Sequence, residues 1–441
     1  MENTFGIHDI AFKAPSLYLP IEDLAEARNI QSDKLKYGLG LLNMSVCDAD
    51  EDIISLATGA VLNLLQQNPE IKPKDIGRIY VGTESSIDGS KPIGTYVHQL
   101  VSQYFENKGI ESKALMHTDV VDMTFACIGA VDAMHNSLDW LRTEPDKVAI
   151  VVAADIANYD LDSSGEYTQG AGAVAVLLRK NPDLLSIDAK WGVAMKSEHD
   201  FFKPIRFEIR ENKVVELHDE KPVFDGQFSN QTYQNRISEA WQHFGKENLL
   251  DFKSIVFHLP YAFHGRRIVT PLVLESLRKN GKLNAIIKEF ELDENAPDFV
   301  KTFSKTTWYK NFVKQIVEPG EVLSSDMGNL YTASIFLSLM SSLINQTYSV
   351  DDEILFFAYG SGSKAKVFSG KLQRNFAKII DKWDVSKEFN NREKIDFQTY
   401  LSIRNKTAHR AFGNNKIAIQ TASGISEVNR FARTYALTND Q

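Results

Sequence analysis

The sequence predicts a layered α/β fold built from two related halves. Three observations carry this. Almost unbroken apolar runs at residues 147–154 and 171–178 have the signature of strands covered on both faces. Segments with apolar residues at helical spacing alternate with these runs. Features of the first half then return, in the same order, in the second.

Each element follows from its residues. Residues 50–67 place Ile53, Ile54, Leu56, Ala57, Ala60, Val61, Leu64 and Leu65 on one helical face, and Pro69 and Pro73 end it. Ile79, Tyr80 and Val81 form a short strand that runs into Gly82-Thr83-Glu84-Ser85-Ser86. Residues 114–123 read as a strand with its connection. From Ala126 to Leu141, apolar residues recur at Val131, Met134, Leu138 and Leu141, a helical spacing. Cys127 is therefore expected at a helix N-terminus, where unpaired amides favour thiolate over thiol. The strand over 171–178 is entered through Gly170 and Gly172.

In the second half, residues 251–257 (Asp-Phe-Lys-Ser-Ile-Val-Phe) echo residues 75–81 (Asp-Ile-Gly-Arg-Ile-Tyr-Val). Tyr359-Gly360-Ser361-Gly362 and the apolar run after it echo Gln169-Gly170-Ala171-Gly172 and its run. The shared order points to a duplication, with halves at 1–185 and 186–370. Residues 195–235 are polar and irregular and are expected to form an insertion over a site. Residues 371–441 are expected to form a helical extension packed on the second half.

Composition narrows the function. The 441 residues are 43% apolar, enough for a sizeable core. Net charge is −9, with 49 basic against 58 acidic residues and no long basic run. Nucleic acid and anionic membrane are thereby excluded as main partners. The two cysteines, Cys47 and Cys127, cannot supply a four-thiolate zinc site or a disulfide framework. Their scarcity suits a reducing compartment. The first residues carry no basic region followed by an apolar core, and no run of ~18 apolar residues exists. The expectation is a cytoplasmic protein with no membrane span.

Five segments carry residues suited to chemistry. Cys127 stands in Phe125-Ala126-Cys127-Ile128-Gly129-Ala130, either as a nucleophile or as a small packing residue. Glu84 lies just past a buried strand, either as a partly desolvated base or as a solvated neighbour of a helix cap. His258 follows the matching strand of the second half, as a donor and proton shuttle or as a satisfied strand-end histidine. Asn329 precedes an apolar helix and would serve as a plain N-cap or a ligand. Gly360-Ser361-Gly362 permits a tight turn or close approach of amides to an oxyanion.

Taken together, Cys127, His258 and Asn329 resemble the Cys-His-Asn set of thiolase-superfamily condensing enzymes. Gly82-Thr83-Glu84-Ser85-Ser86-Ile87-Asp88 resembles the glutamate motif of the 3-hydroxy-3-methylglutaryl-CoA (HMG-CoA) synthase family. Leu24-Ala25-Glu26-Ala27-Arg28-Asn29, Ala154-Asp155-Ile156-Ala157-Asn158-Tyr159 and the stretch from Gly165 to Ala173 match the same family. So do Asp225-Gly226 with Ser229-Asn230 and Tyr233, Gly328-Asn329-Leu330-Tyr331-Thr332, and Tyr359-Gly360-Ser361-Gly362. The resemblance runs from about residue 5 to 370.

That resemblance implies a thiolase-like duplicated five-layer α/β/α/β/α architecture and an acyltransferase acting as a homodimer. Acetyl-CoA would load Cys127 and acetoacetyl-CoA would accept the two-carbon unit, with no cofactor and no metal. Glu84 would deprotonate the acetyl methyl, and His258 would polarise the acceptor. Asn329, Ser361, Tyr159, Thr168 and Tyr331 would bind substrate or an oxyanion. The pathway implied is the mevalonate route to isoprenoids.

Two positions depart from the family. Phe125 stands where a polar residue is common, and Phe263 stands where a lysine is common. Lys203, Arg266 and Arg267 are therefore the candidates for the CoA phosphates. A polyketide β-branching synthase of the same family, with its acceptor on an acyl carrier protein, is one alternative. A non-catalytic thiolase-fold scaffold that binds acyl thioesters is the alternative of another class.

Overall fold

The computed structural model describes residues 3–211, 213–218, 221–246, 248–408, 417–421 and 432–438. The first half contains β1 (Phe5–Lys13), α1 (Ile53–Gln67), β2 (Ile76–Gly82), α2 (Ile93–Asn107), β3 (Asp119–Met123), α3 (Gly129–Leu141), β4 (Val148–Ile156) and β5 (Ala171–Lys180). The second contains β6 (Leu185–Ile187), the hairpin β7 (Ile205–Arg210) and β8 (Lys213–His218), α4 (Gly226–Phe244), β9 (Ser254–Phe257), α5 (Thr270–Lys279), α6 (Ser334–Asn345), β10 (Glu353–Gly360) and β11 (Lys364–Leu372).

One sheet joins both halves in the order β9-β10-β11-β6-β1-β5-β4-β2-β3. The duplication is visible in its pairings. β2 runs parallel to β4, which turns back antiparallel into β5. β9 runs parallel to β10, which turns back antiparallel into β11.

Strand periodicity sorts the side chains into layers. Ala149, Val151 and Ala153 of β4 face the central core, while Ile150, Val152 and Ala154 face an outer one. In β10, Ile354, Phe356 and Ala358 face the centre and Leu355, Phe357 and Tyr359 face out. α3 and α6 fill the central layer. α1 and α2 cover the first half, and α4 and α5 cover the second. The architecture is the thiolase-like arrangement that the sequence implied.

The first helix begins at Ile53 rather than residue 50, because Asp52 caps it by accepting from the amides of Ile54 (2.9 Å) and Ser55 (3.1 Å). Residues 195–235 are more regular than expected. They hold the hairpin β7–β8, and 226–235 belong to α4, capped by the Asp225 side chain. The helix escaped notice because its first turns are rich in Gln, Ser and Asn.

The extension beyond 371 also differs from expectation. Its described residues form three short helices, Phe376–Ile380, Val385–Asn390 and Phe397–Arg404, together with strands. Its polar anchors run to both halves: Glu388 to Lys13 (3.0 Å), Trp383 to Asp9 (2.8 Å) and Arg404 to the Tyr159 carbonyl (2.6 Å) in the first, and Arg392 to the Asp326 carbonyl (2.8 Å) in the second, where Ile379 and Val385 also join the central core. Wholly buried Asp9 takes the Trp383 indole N–H as a third donor beside Asn68 Nδ2 (2.8 Å) and Ile10 N (2.8 Å) of the first half. Residues 409–416, 422–431 and 439–441 of this extension lie outside the described residues.

Candidate active site

Three neighbouring parallel strands deliver the first half's contribution. Gly82, at the end of β2, pairs with Met123 of β3 and Ala153 of β4. Glu84 and Cys127 follow two of these strands within four residues, and Asp155 closes the third. The carboxyl edge of a parallel sheet is where side chains converge on a crevice.

They do converge. Cys127 Sγ donates to Glu84 Oε1 at 3.3 Å. Lys203 Nζ lies 3.2 Å from Glu84 Oε2 and 4.7 Å above the Tyr331 ring. Asp155 is wholly buried and accepts on one oxygen from Glu84 N (2.8 Å), Ser85 Oγ (2.9 Å) and Thr83 Oγ1 (3.0 Å). Its other oxygen accepts from the amide of Thr332 (3.1 Å). Asp155 thus fixes the Glu84 loop and ties it to the second half. Burial and then the charge of Glu84 hold the Asp155 carboxyl above the usual range, against those hydrogen bonds.

The nucleophile's surroundings differ from the sequence expectation. Helix α3 begins at Gly129, so Cys127 precedes it in a turn where Ala126 holds φ +40°. The amides at the helix start are already engaged: Ile128 with Phe125 O, Gly129 with Ala126 O, and Ala130 with Thr332 Oγ1. They do not hold a thiolate. Burial, followed by Glu84 and Asp155, pushes the Cys127 thiol well up, and Lys203 opposes this. The free enzyme keeps a thiol whose proton points at a carboxylate.

The second half repeats the strand-end placement with different groups. His258 follows β9 directly, and its Nδ1 lies 2.6 Å from Ser334 Oγ at the start of α6. That hydroxyl also accepts from Leu259 N (3.1 Å). Burial lowers the His258 pKa to about 3, so the ring is neutral. Asn329 is not the N-cap of the apolar helix, which starts after Ala333 without a side-chain cap; its side chain instead braces the turn before it and reaches the site. Its Oδ1 accepts from Tyr331 N (2.8 Å), and its Nδ2 donates to Tyr159 Oη (3.4 Å) inside the site. Gly328 (φ +79°) lets the chain pass so close to Gln169 that a Cβ would stand 2.2 Å from its carbonyl oxygen.

Ser361 sits in the turn after β10, pressed against the nucleophile's own turn. A Cβ on Gly360 would stand 2.8 Å from Phe125 O. Buried Asp200 holds that turn by accepting from Tyr359 Oη (2.6 Å) and Gly362 N (2.9 Å). Cys127, His258, Asn329, Ser361, Tyr159, Thr168 and Tyr331 all border one cavity of about 460 Å³. Glu84 reaches it through the thiol contact. Phe201 and Phe224, from the 195–235 stretch, form part of its wall.

The phosphate candidates divide. Lys203 lies beside Glu84, where its charge is already matched, instead of at the rim. Arg266 is paired with Glu321, which is almost wholly buried, and with Glu318 (3.5 Å). Arg267 is exposed and bonded to Gly38 O (2.6 Å) and Tyr261 Oη (3.2 Å), beside the cavity's outer residues Leu39 and Tyr261. Sequence reasoning did not assign Asp155 or Asp200 a place in the site. An acid ending the apolar run at 148–154 was a usable signal for Asp155. Nothing around Asp200 in the sequence marked it.

Comparison with known proteins shows the family. Residues 1–183 match the family model described as hydroxymethylglutaryl-coenzyme A synthase N terminal, and 186–439 match its C-terminal counterpart. The hydroxymethylglutaryl-CoA synthase of Enterococcus faecalis is 28% identical over 436 residues, covering 98% of this chain and 99% of its own. Hydroxymethylglutaryl-CoA synthase A of Dictyostelium discoideum is 31% identical over 424 residues, covering 92% of this chain and 83% of its own. A solved structure of MvaS in complex with 3-hydroxy-3-methylglutaryl coenzyme A superposes with a TM-score of 0.82 at 28% identity, over 99% of this chain and 100% of that one. The curacin-pathway HMG synthase in complex with acetyl donor-ACP shares the fold, with a TM-score of 0.77 at 20% identity and the same coverage. The chain belongs to the hydroxymethylglutaryl-coenzyme A synthase family of the thiolase superfamily.

Proposed function

We propose that the protein condenses acetyl-CoA with acetoacetyl-CoA and water, giving 3-hydroxy-3-methylglutaryl-CoA and CoA. The observation that carries this is the 3.3 Å contact between Cys127 Sγ and Glu84 Oε1, beside a cavity shared with neutral His258 and Asn329. A thiol 3.3 Å from a carboxylate can pass it a proton as it attacks an acyl thioester. The acetyl group moves to sulfur, and CoA leaves as its thiol. The base then stands within one acyl length of the acetyl methyl. Glu84 removes a methyl proton, and the resulting carbanion forms a carbon–carbon bond to the acceptor ketone as its C=O π bond breaks. The oxygen so charged takes up a proton to become the 3-hydroxyl, with Glu84 returned to its carboxylate.

Base catalysis supplies only ~10²–10⁴-fold, so the carbonyl charge needs its own donors. Amides in the turns of Cys127 and Ser361 are the candidates for the acetyl oxygen. His258 and Asn329 hold the acceptor, and a neutral imidazole donates its ring proton without adding charge. Water finally cleaves the enzyme thioester and restores Cys127. Each step uses a thiol, a carboxylate and neutral donors, so the reaction calls for no metal or redox cofactor.

The same reading makes the protein a cytoplasmic homodimer serving the mevalonate route. No helix among the described residues is long and apolar enough to cross a membrane. The test is the loss of acetoacetyl-CoA absorbance on adding acetyl-CoA. Condensation at a rate dependent on both substrates is expected. No loss with CoA substrates, but turnover with an acetoacetyl carrier protein, would move the assignment to polyketide β-branching. Thioester binding without turnover on either acceptor would leave only the scaffold reading.

A further inference from the structure

His264 begins the short helix His264–Ile268, six residues beyond His258. It is 2% exposed and borders the cavity that holds Cys127. Its ring stacks on Tyr233, with centroids 4.7 Å apart and planes at 10°, and meets the edge of Tyr261 at 4.9 Å. Among the described residues, neither of its ring nitrogens has a hydrogen-bond partner. His258 is equally buried, but its Nδ1 is matched to Ser334.

A phenylalanine would stack in the same place at no polar cost. A buried imidazole with two unmatched nitrogens calls for a polar partner from outside the protein. Burial above all, with nearby His258 and Arg267 acting the same way, holds its pKa well below the usual value, so it stays neutral. It then offers one donor and one acceptor and no charge. That pair suits a secondary amide, with its C=O and N–H, and does not suit a phosphate.

The location agrees. His264 meets Tyr261 on one side and has His258 as an electrostatic neighbour, and all three line the cavity that Cys127 opens onto. An acyl thioester with its acyl group at Cys127 must send its carrier arm past this point. That arm contains two secondary amides, whether it ends in CoA or in a carrier-protein phosphopantetheine.

We infer that His264 is a substrate-binding residue of this chain whose ring N–H donates to an amide carbonyl of the thioester's carrier arm. This rests on the thioester-condensation reading. The remaining nitrogen accepts from the second amide N–H or from water entering with the substrate.

The test compares wild type with His264→Phe, which keeps the stack, and His264→Gln, which keeps a donor and an acceptor. For H264F, KM for acetoacetyl-CoA rises about tenfold with kcat retained, the effect of one lost hydrogen bond. H264Q recovers part of it. S-Ethyl acetothioacetate, which has no amide, is used equally by all three proteins. An acetoacetyl carrier protein shows the same loss as acetoacetyl-CoA if it is also an acceptor.

An unchanged KM for acetoacetyl-CoA in a folded H264F, or an equal rise with the amide-free thioester, overturns the inference. If H264F does not fold, H264Q decides: a KM for acetoacetyl-CoA raised above wild type with the amide-free thioester unaffected supports the inference, and no change with acetoacetyl-CoA, or an equal rise with both substrates, overturns it. If wild type itself does not condense, the functional reading fails instead. Calorimetric titration with desulfo-CoA then decides for His264: about tenfold weaker binding to the variant supports it, and equal affinity overturns it.

Discussion

The two halves carry the same strand order and bring opposite chemistry to one cavity. The first half supplies the nucleophile and the charge: Cys127, Glu84 and Asp155 at the ends of adjacent parallel strands. The second supplies neutral groups at the matching ends: His258 after β9 and the Ser361 turn after β10. Lys203, from the 195–235 stretch inserted in the second half, provides the cation beside the acidic cluster. A duplicated scaffold thus offers two strand-end platforms, and divergence of a few loop residues separates carrying and deprotonating from holding and polarising. If that division is real, damage to each half should break a different step.

The largest effect belongs to Cys127. Cys127→Ala should remove labelling by radioactive acetyl-CoA and lower condensation by about 10⁴-fold or more. Residual acetyl-enzyme in this variant would place the acyl carrier elsewhere. Glu84→Ala should lower condensation by about 10²–10⁴-fold. Because Glu84 also accepts the thiol proton, acetylation should fall as well, but by less. Equal losses in the two steps, read by burst labelling against steady-state turnover, would collapse the division between carrying and deprotonating.

Lys203→Met sharpens the comparison from its centre. Lys203 is the cation that counters the push of burial, Glu84 and Asp155 on the Cys127 thiol. Without it the thiol moves further up, so at any pH below its titration the thiolate fraction falls. Alkylation of Cys127 by iodoacetamide at pH 8, followed by mass spectrometry, should slow about tenfold. A rate unchanged from wild type would show that Lys203 serves only to place Phe201 and its wall of the cavity.

How far the site could be read from the sequence follows from its geometry. Cys127, Glu84 and His258 were legible because each follows an apolar strand within a few residues, and strand ends of an α/β sheet converge. The layered fold was legible for the same reason, through runs such as 148–154 that are buried on both faces. The electrostatics were not. A helix start near Cys127 suggested a stabilised thiolate, but the amides there were already bonded to Phe125, Ala126 and Thr332, which lie up to two hundred residues apart in the chain. Lys203 read as a candidate for the CoA phosphates because its stretch is polar, and only the folding of Phe201 against Tyr159 and Tyr331 carries it inward beside Glu84. Asp200 was silent for a related reason, since its partners Tyr359 and Gly362 lie about 160 residues away. Sequence periodicity reports burial within an element, and these roles depend on contacts between elements.

The smallest effect tests the neutral half. Ser334 Oγ accepts from Leu259 N, so its single proton is free to point at His258 Nδ1. That leaves the ring proton on Nε2, the tautomer that can donate to an acceptor carbonyl. Ser334→Ala removes the constraint and leaves Leu259 N–H and Nδ1 without that partner. Stability should fall by about 1–3 kcal/mol, and kcat by about three- to tenfold. The discriminating readout is the ¹⁵N shifts of the His258 ring, with one tautomer in wild type and a mixture in the variant. A single unchanged tautomer would leave Ser334 a packing residue. A second readout uses pH. The folded His258 value of about 3 lies below the ordinary 6.5, so an unfolded chain takes up a proton there that the folded one refuses. The stabilisation from keeping this ring neutral is present above pH 6.5 and is lost as pH falls towards 3. The stability gap between wild type and His258→Gln should therefore shift against wild type by about 1.4 kcal/mol for each unit below ~6. A gap constant with pH would mean that the histidine is charged in the folded state, and the contrast between a charged half and a neutral half would fail at its second residue.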